Sequence, residues 1–399
     1  MQVTAGLPLE GVRVVELVHM VMGPSCGMVL ADLGADVIKV EPPGGDNTRR
    51  LTGSGAGFFA TFNRNKRSLA LDVREPRGRD ALERLVAGAD VLTENFRPGA
   101  MARLDLGPEA VRARHPHLVY CSLKGFLAGP YAHRTALDEV VQMMGGLAYM
   151  TGPPGRPLRA GSSVNDIMGG MFAAIAILAA LRERDRTGEG QHVESALFEN
   201  NALLVAQHMA QFAVTGKPAP PMPQRLSAWA IYDVFDTADG DQVFVGVVTD
   251  TQWARFCEAF ERPDLLADPS LGSNPARVAE RPRLLPLVAE IFARLDKAEL
   301  MARCEAIGLP YAPITRPEDL LEDPHLLASG GLVDLDLPDG RSTRLPALPV
   351  ALRGRRPGLR RALPRVGEHT REVLAEVGLS SSEIDALVAD GIAGDDRGE

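Results

Sequence analysis

Cysteine is scarce in this chain of 399 residues. Cys26, Cys121, Cys257 and Cys304 stand far apart and form no C-x-x-C pair, which argues against a disulfide framework or a zinc site and fits a reducing compartment. A basic surplus is also lacking. The net charge is −9, whereas a nucleic-acid binder carries a basic face. The first run, MQVTAGLPLEGVRVVEL, has neither the basic region nor the long apolar core of a signal peptide. The most apolar stretch, Met168 to Leu181, is too short to span a bilayer and runs into RERDR. Internal repeats and low-complexity tracts are absent. These absences point to a cytoplasmic protein with neither nucleic acid nor membrane as partner. What remains is ordinary globular composition, 45% hydrophobic and 24% charged, with enough chain for a large core and two or three domains.

Strands and helices alternate from the start. VRVVEL (12–17) reads as a strand, PSCGMVLADL (24–33) as a helix with Pro24 in its first turn and Gly34 as its stop, and DVIKVE (36–41) as a second strand. RSLALDV, DVLTENF and HLVYCSL continue as strands, with PRGRDALERLVAGA and GPEAVRARHP as helices between them. Apolar strands alternating with helices predict an α/β fold, a parallel sheet covered on both faces. A helix near 167–185, closed by TGEG, and a second apolar helix at 194–214 follow. TGKPAPPMPQR (215–225) reads as a linker, and AIYDVFDTADGDQVFVGVV as a hairpin turning on Asp239-Gly240. Amphipathic helices then run to about 325, so this part looks like a smaller α+β domain. The tail holds two short helices, the second opened by the SSSE capping box.

The opening βαβ unit invites a dinucleotide site. Its loop, VHMVMGPSCG, has only Gly23 and Gly27 in place of G-x-G-x-x-G, and Glu41 alone stands where a ribose-binding acid belongs. The unit reads better as scaffold. A more pointed feature is Asp166, the one acid in RAGSSVNDIMGGMFAAIAILAAL. Immediately before a helix it can serve as an N-cap. The same position favours an ionised carboxylate, and Gly169 and Gly170 would leave space for a bulky ligand, so Asp166 is also a usable nucleophile.

Seven spaced segments then agree, in order, with one family: PLEGVRVVEL, GPSCGMVLADLGADVIKVEPPGGDNTR, FNRNKRSLALD, ENFRPGAMARLDLG, HLVYCSLKGF, the Asp166 segment and RDRTGEGQHVESAL, with GEHTREVL near the end. Together they resemble the family III (CaiB/BaiF) coenzyme A transferases. The resemblance implies an interlocked homodimer in which each protomer has a Rossmann-like large domain and a small α+β domain. It places the large domain at 1–214 and the linker at 215–225. The small domain follows at 226–325, and 326–399 returns to complete the large domain. It also implies that Asp166 attacks an acyl-CoA thioester, giving an anhydride and then an aspartyl-CoA thioester. Coenzyme A and acyl-CoA are then substrates, and no cofactor is bound permanently. By the same resemblance the CoA site is lined by His19, Met20, Val21, Leu71, Asp72, Val73, Arg74, Asn95, Phe96, Arg97, Arg103 and the stretch Thr135 to Asp138. Lys124, and Arg64, Lys66 and Arg67 of NRNKRS, are further candidate cations for the CoA phosphates.

The related racemases pair the equivalent aspartate with a histidine of a G-H-D tripeptide about thirty residues earlier. Here that place reads Ala136, Leu137, Asp138, and leucine carries no proton, which favours the transferase over a 2-methylacyl-CoA racemase or epimerase. Pro42 stands where the formyl-CoA:oxalate enzymes have an arginine, and PPMPQRLSAWAIYDVF lacks their glycine-rich loop, so that assignment fits less well; a segment including Trp229 is a candidate lid. VVTDTQW and GLPYAPI resemble the dicarboxylate-handling members, with succinyl-CoA as donor and itaconate, mesaconate, malate or glutarate as acceptor. Arg225 is the candidate cation for the second carboxylate of such an acid.

Overall fold

The computed structural model describes residues 6–225, 227–337 and 339–396. The first five residues, the expected start of the small domain at Leu226, and the last three residues lie outside that set. The chain splits into two compact units, one formed by Met1–Pro223 with Pro324–Glu399 and the other by Gln224–Asp323.

The larger unit is built on a seven-stranded sheet. Its strands are β1 (Arg13–Leu17), β2 (Asp36–Glu41), β3 (Lys66–Leu71), β4 (Val91–Glu94), β5 (Val119–Lys124) and β6 (His192–Ala196), closed by a two-residue strand, Ala393–Gly394, called β12 below. In space the order is β12-β3-β2-β1-β4-β5-β6. The six longer strands are parallel, and β12 runs antiparallel to β3. The strands β1 to β5 are buried almost throughout because side chains alternate between two covered faces. Val15, Ile38, Leu69 and Leu92 pack with Leu82 and Leu85 of the helix Pro76–Ala87 and with Val373, Leu374, Ile384 and Leu387 from the tail. Their neighbours Val14, Val37, Val91 and Val119 face the other way, onto Cys26 and Leu30 of the helix Met22–Asp32 and Ala173 and Ile177 of the helix Val164–Thr187. The chain leaves β1 for β2 on one side and later returns to β4 on the other. The carboxyl ends of β1 and β4 therefore form a topological switch point, where open α/β sheets bind ligands.

Several expectations need correction. The long helix begins at Val164, not near 167. At 24 residues, with a mean hydropathy of 1.8 over its most apolar window, it is long and apolar enough to cross a membrane, although 44% of that window is buried in the protein. The apolar helix expected at 194–214 does not exist as one element. Residues 192–196 add β6 to the sheet edge, and the helices Leu197–Leu204 and Ala206–Thr215 are separated at Val205. In the second unit, β7 (Ile231–Asp236) and β8 (Gln242–Val247) form the expected hairpin, with Gly240 at φ +79° in its turn. β9 (Tyr311–Pro313) adds a third strand that was not foreseen. Equally unforeseen is a separate antiparallel pair in the larger unit, β10 (Leu332–Asp336) with β11 (Ser342–Pro346). The tail helices are Thr370–Glu376 and Ser381–Ala389, the latter opened by the Ser380–Glu383 capping box.

Candidate active site

Asp166 does not cap its helix. It is the third residue of the first turn, behind an N-cap, Ser163, whose side chain makes no capping bond. The cap comes from elsewhere in the larger unit. Asp138 opens the helix Asp138–Met144, and its Oδ1 accepts from the backbone N–H of Asn165 at 2.8 Å and of Asp166 at 3.3 Å. Gln142, one turn along, donates to Asp138 Oδ2 at 2.5 Å and accepts from the Ala160 N–H at 2.7 Å. A buried chain of bonds thus runs from Ala160 through Gln142 and Asp138 to the amides beneath Asp166.

The electrostatics reverse the expectation drawn from the helix start. Burial, and then the Asp138 carboxylate, push the pKa of Asp166 up to about 7. One turn of a helix macrodipole is worth roughly 0.3–1 kcal/mol at an exposed site, too little to offset desolvation plus a like charge. Asp166 is therefore poised between acid and carboxylate near neutrality. Next to it, Asn165 is fully buried, and neither polar atom of its side chain has a hydrogen-bond partner.

Gly169 and Gly170 do not make room for a ligand. A Cβ on Gly170 would lie 1.9 Å from Ser25 Oγ and 2.6 Å from the Met22 carbonyl oxygen; one on Gly169 would lie 2.5 Å from Met22 Cε. They permit the close crossing of the helices Val164–Thr187 and Met22–Asp32. Asp166 sits one helical turn, ~5 Å, from that crossing, and the loop His19–Val21 leads directly into its other member.

That loop belongs to the switch point. The Asn95 side chain accepts from His19 N–H at 3.1 Å and donates to the His19 carbonyl at 2.8 Å, tying the ends of β1 and β4 together. The rings of His19 and Phe96 lie 5.6 Å apart. Lys124, at the end of β5, donates to the Phe96 carbonyl at 3.2 Å and to Glu94 at 2.5 Å. Burial lowers the His19 pKa below the usual imidazole value, with Asp46 opposing and Lys39 adding to the fall. Arg97, Arg103 and Thr135 are exposed. Leu71 is core, Val73 packs against the core, and Asp72 pairs with exposed Arg74 beyond the end of β3. The structure thus gathers His19, Met20, Asn95, Phe96 and Lys124, keeps 71–74 two strands away, and places Asp138 in the interior beneath Asp166.

The NRNKRS cations have other work. Arg64 pairs with Asp32, and Lys66 with Glu16 in full burial. Arg67 joins Asp36, Glu372 and Glu376. The last group lines a cavity of about 210 Å³ at the amino ends of β1–β3, the sheet edge opposite the switch point. Glu41 is held by Arg49 and Ser68, so it is not a free ribose-binding acid. In the second unit Arg225 is exposed, and the Trp229 carbonyl is held by Arg281 while its ring lies 4.8 Å from that of Tyr232. Sequence reasoning missed Lys39, Asp46, Thr48 and Gln142. Only the Asp-x-Thr spacing of Asp46 and Thr48, a local turn signal, could have drawn attention to any of them.

Residues 9–370 match the family model for CoA-transferase family III. The chain belongs to CoA-transferase family III. A succinate–glutarate CoA-transferase from Agrobacterium fabrum is 36% identical to this transferase over 385 residues, covering 93% of this chain and 96% of the relative. A succinyl-CoA:mesaconate CoA-transferase from Haloarcula hispanica is 35% identical over 390 residues, covering 94% and 97%. The crystal structure of a CaiB/BaiF family protein from Brucella suis matches the transferase with a TM-score of 0.83 at 35% identity, covering 94% of this chain and all of that one.

Proposed function

We propose that this transferase moves CoA from succinyl-CoA to a small dicarboxylate in the cytoplasm, with Asp166 as the nucleophile. The Asp166 carboxylate attacks the thioester carbonyl, forming a mixed anhydride as the CoA thiolate leaves. The thiolate attacks the aspartyl carbonyl and expels the donor acid, leaving an aspartyl-CoA thioester. The acceptor carboxylate then attacks that thioester, and the released thiolate takes the acceptor acyl group, restoring Asp166. Each step exchanges one carboxylate or thiolate for another, so no net proton or electron is required.

The observation that carries this reading is the placement of Asp166. It is a half-buried carboxylate on a helix start whose amides are fixed by Asp138, one turn from the helix that leads out of the loop His19–Val21. A poorly solvated carboxylate is a stronger nucleophile than a hydrated one, and a pKa near 7 still leaves much of it ionised at neutral pH. His19, Met20, Val21, Asn95 and Phe96, with Lys124, Arg97, Arg103 and Arg74, are the residues proposed to hold CoA at the strand ends. The dicarboxylate preference rests on relatives named for succinate, glutarate and mesaconate, with Arg225 as the proposed partner of the second carboxylate.

A homodimer belongs to the same reading. The larger unit leaves Met143, Met144, Met171, Ile175, Leu203, Met209 and Phe212 exposed on its helices, an apolar surface suited to a second copy. The large-domain, linker and small-domain boundaries implied by the resemblance are kept as part of it.

Incubation with succinyl-CoA and hydroxylamine tests the mechanism, since it should trap the acyl-enzyme at Asp166, and Asp166→Ala should abolish exchange. Full exchange by the alanine variant would refute it. Deuterium entering the α-carbon of an acyl-CoA in D2O without acid exchange would establish the racemase instead.

A further inference from the structure

Lys39 is fully buried in the middle of β2, where an apolar residue would be expected. Its ammonium donates to the Val18 carbonyl at 2.8 Å and pairs with Asp46 at 2.9 Å. Asp46 accepts from the Thr48 N–H at 2.8 Å, and Thr48 Oγ1 accepts from the Met20 N–H at 3.0 Å. Asn95 takes both backbone groups of His19 between them. The backbone just beyond β1 is thus held at Val18, His19 and Met20 by side chains from three other segments. Met20 itself has φ +63°, the left-handed region that non-glycine residues avoid. A disfavoured conformation survives only where its surroundings over-determine it, and such positions cluster at ligand sites. A buried ion pair gives little net stability over apolar packing, and one attested use is to specify a single conformation.

We propose that Lys39 is a positioning residue for acyl-CoA: with Asp46 and Thr48 it clamps the turn Val18–Met20 in the left-handed form that presents the exposed His19 and Met20 to the coenzyme. The proposal rests on the reading that this loop lines the CoA site. It also explains why DVIKVEPPGGDNTR contains a lysine in a buried strand followed by Asp-x-Thr. The lysine and the threonine meet the same turn from opposite ends of one chain of bonds.

Two variants test the clamp. Lys39→Met/Asp46→Asn removes both charges together, so neither is left buried alone. Thr48→Val removes the acceptor for Met20 and the hydroxyl's contact with Asp46, and leaves both charges in place. CoA affinity is read by calorimetric titration, which needs no turnover, alongside KM for succinyl-CoA, KM for the acceptor acid and kcat. The expected result is a CoA Kd and succinyl-CoA KM raised roughly tenfold in the double variant and about threefold in Thr48→Val, the cost of lost preorganisation. The acceptor KM should hold and kcat at saturation should stay within about threefold, a split that a general loss of structure would not produce. A folded variant with wild-type CoA Kd, or a fall in kcat at unchanged Kd, overturns the proposal. If circular dichroism shows the double variant unfolded, Thr48→Val alone decides. Hydroxylamine trapping in the wild type judges Asp166 separately, so failure of the clamp and failure of the proposed chemistry remain distinguishable.

Discussion

Replacing Asp138 by asparagine separates the two effects of its carboxylate on Asp166. The cap survives, because an amide oxygen can still accept from the Asn165 and Asp166 N–H groups. The negative charge does not. Of the two causes that raise Asp166 to about 7, burial is the larger and Asp138 the smaller, so the variant should recover only part of the shift. A like charge within a shared site is worth on the order of one pKa unit when it is the lesser contributor. At pH 6 the ionised fraction of Asp166 should then rise from about one tenth to about one half, a gain of ~5-fold, while at pH 8 both proteins are almost fully ionised.

The assay is kcat/KM for succinyl-CoA between pH 5 and 9, because that ratio reports the ionisation of the free enzyme. For the wild type an acid limb near pH 7 is expected; for Asp138→Asn it should move down, so that the ratio of variant to wild-type activity climbs about fivefold from pH 8 to pH 6. There is a cost. Gln142 now donates toward Asp138 Oδ2; facing an asparagine NH2 it must turn its amide, which removes the acceptor for the Ala160 N–H. A loss of about 1–2 kcal/mol in stability should follow. Parallel pH profiles for the two proteins would refute the account of why the nucleophile titrates where it does.

Other perturbations test the same interior. Asp166→Asn should stabilise the protein more at pH 8 than at pH 5. In the wild type the unfolded carboxylate ionises near 3.8 while the folded one holds its proton to about 7, so stability falls as pH rises through that window, by about 4 kcal/mol in all. Urea unfolding should show the advantage of the variant growing by roughly 2–3 kcal/mol between the two pH values. Gly170→Ala should lower stability by about 1–3 kcal/mol, because its Cβ meets the Met22 carbonyl and the Cys26 amide, backbone that cannot yield like a side chain. Lys66→Met leaves Glu16 buried and uncompensated and should cost ~3–5 kcal/mol, most of it recovered in Lys66→Met/Glu16→Leu. Calorimetry on that double variant should find CoA affinity unchanged, since Lys66 lies in the core and not at the coenzyme.

Which of these features the sequence discloses depends on whether the cause is local. β2 is legible to the residue, because Val37, Ile38 and Val40 are β-branched and the run lies between Gly34 and Pro42. The Ser380–Glu383 box and the Asp239-Gly240 turn are equally legible, each being a contract between near neighbours. β12 is not, since two residues form a strand only because β3 offers them an edge. The same distinction explains the errors at the site. Arg64, Lys66 and Arg67 look like exposed cations because their partners, Asp32, Glu16 and Asp36, are about thirty to fifty residues away in the sequence. Gly169 and Gly170 look like space because the helix that fills it is built from residues 22–32. Asp166 looks like its own cap because the true cap lies at Asp138, on another helix. That separation has a chemical consequence. A carboxylate that caps its own helix engages the orphan amides itself and is held ionised by them. A carboxylate whose amides are taken by a second acid keeps its oxygens free and feels that acid's charge, and both effects suit an attacking group better than a structural one.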